Sequence, residues 1–280
     1  MKYNSFNEQM ERDAQDGTEF RYGAITTDLA AVPVEARLPY SPKGVRQYTS
    51  VFDSFGCASR APLNVLETKL TYFYDHGMHP VLRTWLVQNG YLTDGRVTLS
   101  DNYIEILSGT SETGNGLKQP VDAIYRYGVI PASFLPLEEG LTREQYMNPA
   151  RITQEMRDLG KQFLLRFGIG YEKVERDEMT DALEDDLLSV AVHAWEEPVN
   201  GVYSSSSNAF NHAIAKVDNS IYILDSYEPF TKLLAKDYRF FDHGYSLSIT
   251  RQTPDPQAEM ISLYQQLVKV LQKILSIMRV

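Results

Sequence analysis

Residues 211–227, NHAIAKVDNSIYILDSY, decide the class of fold because they have the pattern of a β-hairpin. Two short runs rich in Ala, Ile, Val and Tyr flank the polar residues 218–220, which is typical of antiparallel strands joined by a turn. Pairing of these strands would bring His212, at the start of the first, beside Asp225, at the end of the second. A carboxylate in that position can accept the imidazole N–H, fix the tautomer and stabilise the imidazolium.

The segments around this hairpin predict helices in the first part of the chain and strands in the last part. Apolar side chains fall at helical spacing in residues 64–74, 101–109, 121–128, 141–168 and 179–186. Further strand patterns occupy residues 187–195 and 245–252. Helices followed by strands predict an α+β fold rather than alternating βαβ units.

The single cysteine, Cys57, lies in DSFGCASRAPLNVLE, residues 53–67. A polar turn containing Gly56 is followed there at once by a helical pattern, which places the thiol at a helix N-terminus. The partial positive charge of a helix N-terminus favours the thiolate, the form that acts as a nucleophile. The alternative interpretation is a buried structural cysteine.

A nucleophilic cysteine needs a base, and the chain has five histidines. His212 opens an apolar strand and has Asp225 to orient it, so we expect His212 to be the base. His76 and His79 have no third ligand nearby, which favours a surface loop over a metal site. Of the remaining two histidines, His193 is assigned to a strand and His243 to a turn.

Composition limits the classes of function. The 280 residues are 43% hydrophobic and 23% charged, as in ordinary globular proteins. The 37 acidic residues outnumber the 27 basic ones, the net charge is −10 and no dense Lys/Arg block occurs, so no nucleic-acid partner is expected. One cysteine excludes a disulfide framework and zinc sites built from several cysteines, and no metal or cofactor is implied. Short apolar runs and a polar, acidic N-terminus predict no membrane span and no signal peptide, hence a cytoplasmic or virion-associated protein.

The ordered set of motifs resembles the papain-like cysteine peptidases, in the divergent branch found in phages and bacteria. GCASRA around Cys57 is similar to the family's nucleophile segment, and NHAIAKV is similar to its catalytic histidine strand. ILDSYEPF stands where the family has an Asn-Ser-Trp segment, and similar elements cover roughly residues 33–252. The resemblance implies a helical half and a twisted antiparallel sheet half with the active cleft between them.

Two residues near His212 depart from the family pattern. Asp225 replaces the usual Asn, and its charge should raise the pKa of the imidazole. Because Asn is the common residue, Asp225→Asn is expected to retain activity. Tyr227 replaces the Trp that usually shields the catalytic pair.

The resemblance also implies a glutamine that binds the oxyanion of the reaction. Gln47 is the candidate, although it lies ten residues upstream of Cys57, farther than in the family, and fits only if the intervening loop bulges. The backbone N–H of Cys57 and the side chain of Ser54 are the alternative donors.

The chain is predicted to have three parts. Residues 1–45 form an irregular arm without the long helical pattern of a propeptide, residues 46–252 form the papain-like peptidase domain, and residues 253–280 form a linker and an amphipathic helix. Six large apolar residues between Met260 and Met278 follow a heptad seam in that helix. This helix has three alternative roles: it packs on its own domain, it associates with other copies or a partner, or it binds to a membrane surface. We expect a homo-oligomer or a larger assembly.

The expected function is cysteine peptidase activity on a protein or peptide substrate, in a phage-encoded or virion-associated setting. Cys57 attacks, His212 moves the proton, Asp225 orients His212, and Gln47 or a substitute binds the oxyanion. Two alternatives stay open. The first is a non-enzymatic structural or virion protein with a peptidase-like fold. The second is a cysteine-dependent acyl transferase, in which an amine replaces water.

Overall fold

The computed structural model of the protein describes residues 6–14, 31–78, 80–206 and 210–251, together with Val268 and Leu271. Helices occupy the first part of the chain and an antiparallel sheet the last part, so the predicted α+β class is confirmed. The helices are α1 (Glu8–Ala14), α2 (Val34–Tyr40), α3 (Cys57–Asp75), α4 (Pro80–Gln88), α5 (Asp101–Ser108), α6 (Lys118–Tyr127), α7 (Arg143–Tyr146), α8 (Gln154–Arg166) and α9 (Met179–Asp185). The strands are β1 (Leu92–Thr93), β2 (Arg96–Val97), β3 (Phe167–Glu175), β4 (Leu188–Val192), β5 (Val202–Tyr203), β6 (His212–Lys216), β7 (Tyr222–Leu224), β8 (Thr231–Leu234) and β9 (Phe240–Arg251).

The helix α3 runs between the helical half and the sheet, with nearly every face buried. It contacts α2 and α5 on one side and β4 and β6 on the other. Small buried side chains, Ala58 and Ala61 on α3 and Ala213 and Ala215 on β6, let a helix and a strand approach closely. This packing brings the N-terminus of α3 against the start of β6.

The main sheet has seven strands in the order β3-β9-β4-β6-β7-β8-β5, antiparallel except for the parallel pair of β5 and β8. The predicted hairpin is the β6–β7 pair, and the Ser220 N–H donates to Asp218 Oδ1 in its turn. The strand β3 was not predicted, because two glycines and alternating charges in FGIGYEKVE weaken its strand signal. It pairs along its full length with β9.

The N-terminal arm is more ordered than the irregular chain that the sequence predicted, since its described residues include α1 and α2. Glu11 of α1 is fully buried and accepts hydrogen bonds from His243, Tyr245 and the backbone N–H of Lys118. Backbone bonds from Phe6 N–H to the Asn211 carbonyl and from Asn7 N–H to the Asn115 carbonyl tie the arm to both halves of the body. Long-range partners of this kind leave no periodic signal in the sequence, which is why α1 and α2 were not predicted.

The predicted C-terminal helix lies outside the described residues except for Val268 and Leu271, both of which are helical. The proposed boundaries at residues 45 and 252 therefore stay predictions. Within the part of the chain that the structure describes, no helix is both long and apolar enough to cross a bilayer.

Candidate active site

Cys57 is the first residue of α3, as the sequence predicts, and Gly56 is the N-cap residue. A Cβ at position 56 would lie 1.9 Å from Glu105 Oε1, so any other residue there would force the buried Glu105 side chain to move. The tight turn, with Phe55 at a φ of 58°, delivers Cys57 to the positive end of the helix. Cys57 is fully buried, and its Sγ accepts a hydrogen bond from the Ala213 N–H at 3.3 Å. The sulfur therefore sits at the junction of α3 and β6.

His212 and Asp225 come together as the hairpin predicts. His212 begins β6, and Asp225 follows the last residue of β7. Nε2 of His212 lies 2.6 Å from Oδ1 of Asp225, and both side chains have no exposed surface. A carboxylate at this distance fixes the orientation and the tautomer of the ring and leaves Nδ1 as the other reactive nitrogen.

The carboxylate of Asp225 has partners besides the histidine. Its Oδ1 also accepts the backbone N–H groups of Ser226, at 2.6 Å, and of Tyr227, at 3.2 Å. Its Oδ2 lies 2.6 Å from Nζ of Lys232. Burial, the largest influence, raises the pKa of Asp225, but the attraction and hydrogen bonds of His212 and Lys232 outweigh it and hold that pKa below its usual value.

Lys232 is only 1% exposed and was not predicted to belong to the site. It lies in β8 in phase with the buried Leu234, so that both side chains point to the same face of the strand. A lysine in phase with a core residue is the signal that could have identified it, because buried lysines require a partner.

The imidazole of His212 is strongly biased toward its protonated form. Burial, the largest single influence, lowers its pKa, since a charged ring is poorly solvated in the interior. The charge of Asp225, the interaction with Cys57 and hydrogen bonds to both act in the opposite direction and raise the pKa to about 10. This direction agrees with the effect that the sequence predicts for Asp at position 225.

Aromatic rings enclose the pair. The Tyr227 ring, 1% exposed, lies 5.4 Å from the His212 ring between centroids. Trp195, which the sequence analysis did not assign to the site, meets the same imidazole edge to face at 5.8 Å. These rings exclude water from the His212–Asp225 bond and so strengthen it.

Gln47 is buried beside the site and makes hydrogen bonds to Asp53 and to the segment that carries Tyr227. Its Nε2 donates to Asp53 Oδ1 at 2.9 Å and to Tyr227 Oη at 2.8 Å, and its Oε1 accepts the Ser226 hydroxyl at 2.6 Å. Gln47 therefore braces the segment that holds Asp225. Both N–H groups of the amide are engaged in these bonds, so Gln47 could donate to an oxyanion only by giving up Asp53 or Tyr227, and that role stays a prediction.

Ser54 was an alternative donor for the oxyanion, and the structure argues against it. Its hydroxyl donates to Glu105 Oε1 at 3.1 Å and accepts the Gly56 N–H at 3.2 Å. The single hydroxyl proton is therefore committed to Glu105. The backbone N–H of Cys57, in the first turn of α3, is the remaining alternative to Gln47.

The other histidines take structural positions. His76 is exposed at the end of α3, and His79 lies outside the described residues. His193 follows β4 with its ring 3.7 Å from that of Phe210. His243 is not in a turn, as the sequence suggested, but inside β9, with Nε2 2.7 Å from Glu11 Oε1. No cluster of three or more potential metal ligands occurs in the described part of the chain.

Comparison with known proteins gives structural neighbours only. No family model matches the sequence, and no curated protein matches it. The fold is similar to xylellain, a cysteine protease from Xylella fastidiosa, at 13% identity over 84% of this chain and 93% of that one, with a TM-score of 0.49. It is also similar to a chain from the mite allergens Blo t 1 and Der p 1, at 13% identity over 86% of this chain and 76% of that one, with a TM-score of 0.46.

Proposed function

We propose that the protein is a cysteine peptidase in which Cys57, His212 and Asp225 form the catalytic set. The observation that carries the proposal is the convergence of the three side chains. The backbone N–H of Ala213, the residue next to His212, donates a hydrogen bond to the Cys57 sulfur. The His212 ring is in turn hydrogen-bonded to the Asp225 carboxylate. A thiol, an imidazole and an orienting carboxylate in this order can perform acyl transfer.

In the proposed reaction, the Cys57 thiolate attacks the carbonyl carbon of the scissile peptide, and the electron pair of the C=O bond moves to the oxygen. The tetrahedral intermediate collapses to a thioester, and the departing amine takes the proton of the His212 imidazolium. Water then loses a proton to His212 and attacks the thioester, which releases the acid and regenerates the thiolate. The backbone N–H of Cys57 is the proposed donor to the oxyanion, and the amide of Gln47 joins it if substrate binding releases its bond to Asp53 or Tyr227.

Chemical labelling tests this proposal, because the chain has one cysteine. Iodoacetamide should modify Cys57 at pH 6, and His212→Ala should slow the reaction sharply. His76→Ala is the matched control, since His76 is exposed and remote from the sulfur along α3. Cys57 has no exposed surface here, so the labelling rate also measures how often the site opens. Labelling with the pH dependence of an ordinary thiol and no response to His212→Ala would overturn the proposal.

Activity decides among the alternative functions. A peptide library incubated with the protein should yield free acids, Cys57→Ala should abolish cleavage, and His212→Ala should reduce kcat/KM by about 10²–10⁴-fold. Amide products in the presence of added amines would identify an acyl transferase. An unreactive thiol together with no cleavage would favour a structural role.

Assembly through residues 253–280, in a phage or virion setting, is a further proposal that rests on the heptad seam alone. A chain cut after Asp255 should stay folded and fall to a monomer in light scattering, from a larger intact species. An intact protein that is already a monomer would exclude self-association, and unfolding of the cut chain would assign the helix to its own core.

A further inference from the structure

Lys232 is a buried cation bonded to the carboxylate of the proposed catalytic set. Its Nζ lies 2.6 Å from Asp225 Oδ2 and donates to the carbonyl oxygens of Tyr227, at 2.6 Å, and Pro229, at 2.8 Å. The rings of Trp195 and Tyr203 lie 5.6 and 5.4 Å from the same nitrogen. An ammonium with these partners is held firmly in one position.

The two oxygens of Asp225 are shared between two cations. Oδ1 is bonded to His212 and Oδ2 to Lys232, so the three groups form a chain of alternating charge when the ring is protonated. An unpaired carboxylate in this interior would bind the imidazolium proton very strongly, because charges interact with little screening away from water. Peptide cleavage requires the ring to give up that proton to the leaving amine.

We propose that Lys232 is a positioning residue that offsets part of the charge of Asp225, so that the carboxylate orients His212 but holds its proton less tightly than an unpaired carboxylate would. The pair of Asp225 and Lys232 has no net charge, so it attracts the imidazolium less strongly than the carboxylate alone would, although Oδ1 still faces the ring. This inference rests on the proposed peptidase function, but its structural part concerns only the titration of His212.

Other ionisable groups border the pair and must stay constant in a test. Three tyrosines contact or face it, and their hydroxyls stay neutral at working pH because burial raises their pKa values: Tyr203, Tyr227 and Tyr238. Asp53 lies behind Tyr227 and is bonded to its hydroxyl. Glu197 acts on Tyr203, and Cys57 raises the pKa of His212, an influence that Cys57→Ala removes.

The test therefore follows His212 by NMR in the Cys57→Ala form of the full chain, with Lys232→Gln and Lys232→Met as variants. Gln keeps N–H donors for the two carbonyls and Met keeps none, whereas both remove the charge. Both should raise the pH at which His212 titrates, by about one unit or more. Asp225→Asn should lower it, and Asp225→Asn combined with Lys232→Gln should return it close to the starting value. In the protein with Cys57, the alkaline limb of kcat/KM should move in the same directions.

Lys69→Gln is the matched control, because Lys69 is also buried and paired, with Asp186 at 2.6 Å, but is remote from the histidine. It should leave the His212 titration unchanged. An unchanged titration in a folded Lys232→Gln would overturn the inference and leave Lys232 a structural residue. If the single variants unfold, folding of the double variant supports charge pairing, and its failure to fold overturns the inference. Absence of peptide cleavage by the unaltered protein would reject the peptidase function, and the NMR titration would still decide the role of Lys232.

Discussion

Buried carboxylates in the two halves of the molecule behave in opposite ways. In the sheet half, Asp225 keeps a lowered pKa although it is buried. In the helical half, directly behind Cys57, burial raises the pKa of three carboxyls: Asp101 to about 6, Glu105 to about 7 and Glu67 to about 8. Burial alone therefore does not decide whether these groups are charged.

The difference lies in how many donors and cations each carboxyl has. Asp225 has two backbone N–H groups, the His212 ring and Lys232. The three carboxyls of the helical half, by contrast, share the influence of a single guanidinium, that of Arg60, which forms an ion pair with Asp101. The Asp225 carboxylate thus keeps its negative charge in the interior because Lys232 and the protonated His212 ring both contact it.

Removing the Asp225 carboxylate should have the largest effect. Asp225→Ala leaves both Lys232 and the His212 ring without their anion in a buried site, which should reduce the free energy of unfolding by about 3–5 kcal/mol. Cleavage should fall as well, because the ring loses its orientation. Urea denaturation and kcat/KM on one peptide measure both. A folded, fully stable Asp225→Ala protein would show that the sheet half tolerates the loss of this carboxylate.

The structure also changes what we expect of Asp225→Asn. The family resemblance alone predicts retained activity, but Asn would leave the Lys232 ammonium buried without a counter-charge. We now expect Asp225→Asn to lose stability and activity, and the addition of Lys232→Gln to restore both in part. Equal activity in the single and double variants would contradict this coupling.

Glu11 is a further buried carboxylate, and it joins α1 to the sheet and to α6. It accepts hydrogen bonds from His243, Tyr245 and the Lys118 N–H. Glu11→Ala should lower the free energy of unfolding by about 2–3 kcal/mol, since it leaves buried donors unsatisfied. Glu8→Ala on the same helix is the control, because Glu8 forms only a surface pair with Arg12. Equal losses in the two variants would mean that α1 contributes through its helix alone.

The sequence predicted the features that depend on local pattern. The position of Cys57 follows from a turn and a helical period, and the meeting of His212 with Asp225 follows from the length of one hairpin. Lys232 and Glu11 were missed because their partners are set by tertiary packing, which has no period in the chain. Gln47 was located beside the site, but its bonds to Tyr227 and Asp53 depend on a loop that no pattern describes.

The smallest expected effect concerns Glu67. Unlike the substitutions above, replacing it should raise the free energy of unfolding. The folded protein holds a proton on Glu67 up to a pKa of about 8, whereas the unfolded chain releases it near the ordinary value of 4.5. Between these values the folded state binds more protons, so the contribution of Glu67 to stability falls as pH rises through this window. Glu67→Gln mimics the protonated form and keeps an acceptor for the Leu99 N–H, which is bonded to Oε1 at 2.6 Å. It should therefore raise stability at pH 9 by about 1 kcal/mol, or roughly 2–4 °C in Tm, and have little effect at pH 4.5. The exposed Glu184→Gln is the control and should leave Tm unchanged at both values. Destabilisation by Glu67→Gln at pH 9 would show that the helical half, like Asp225, maintains a charge that the fold needs.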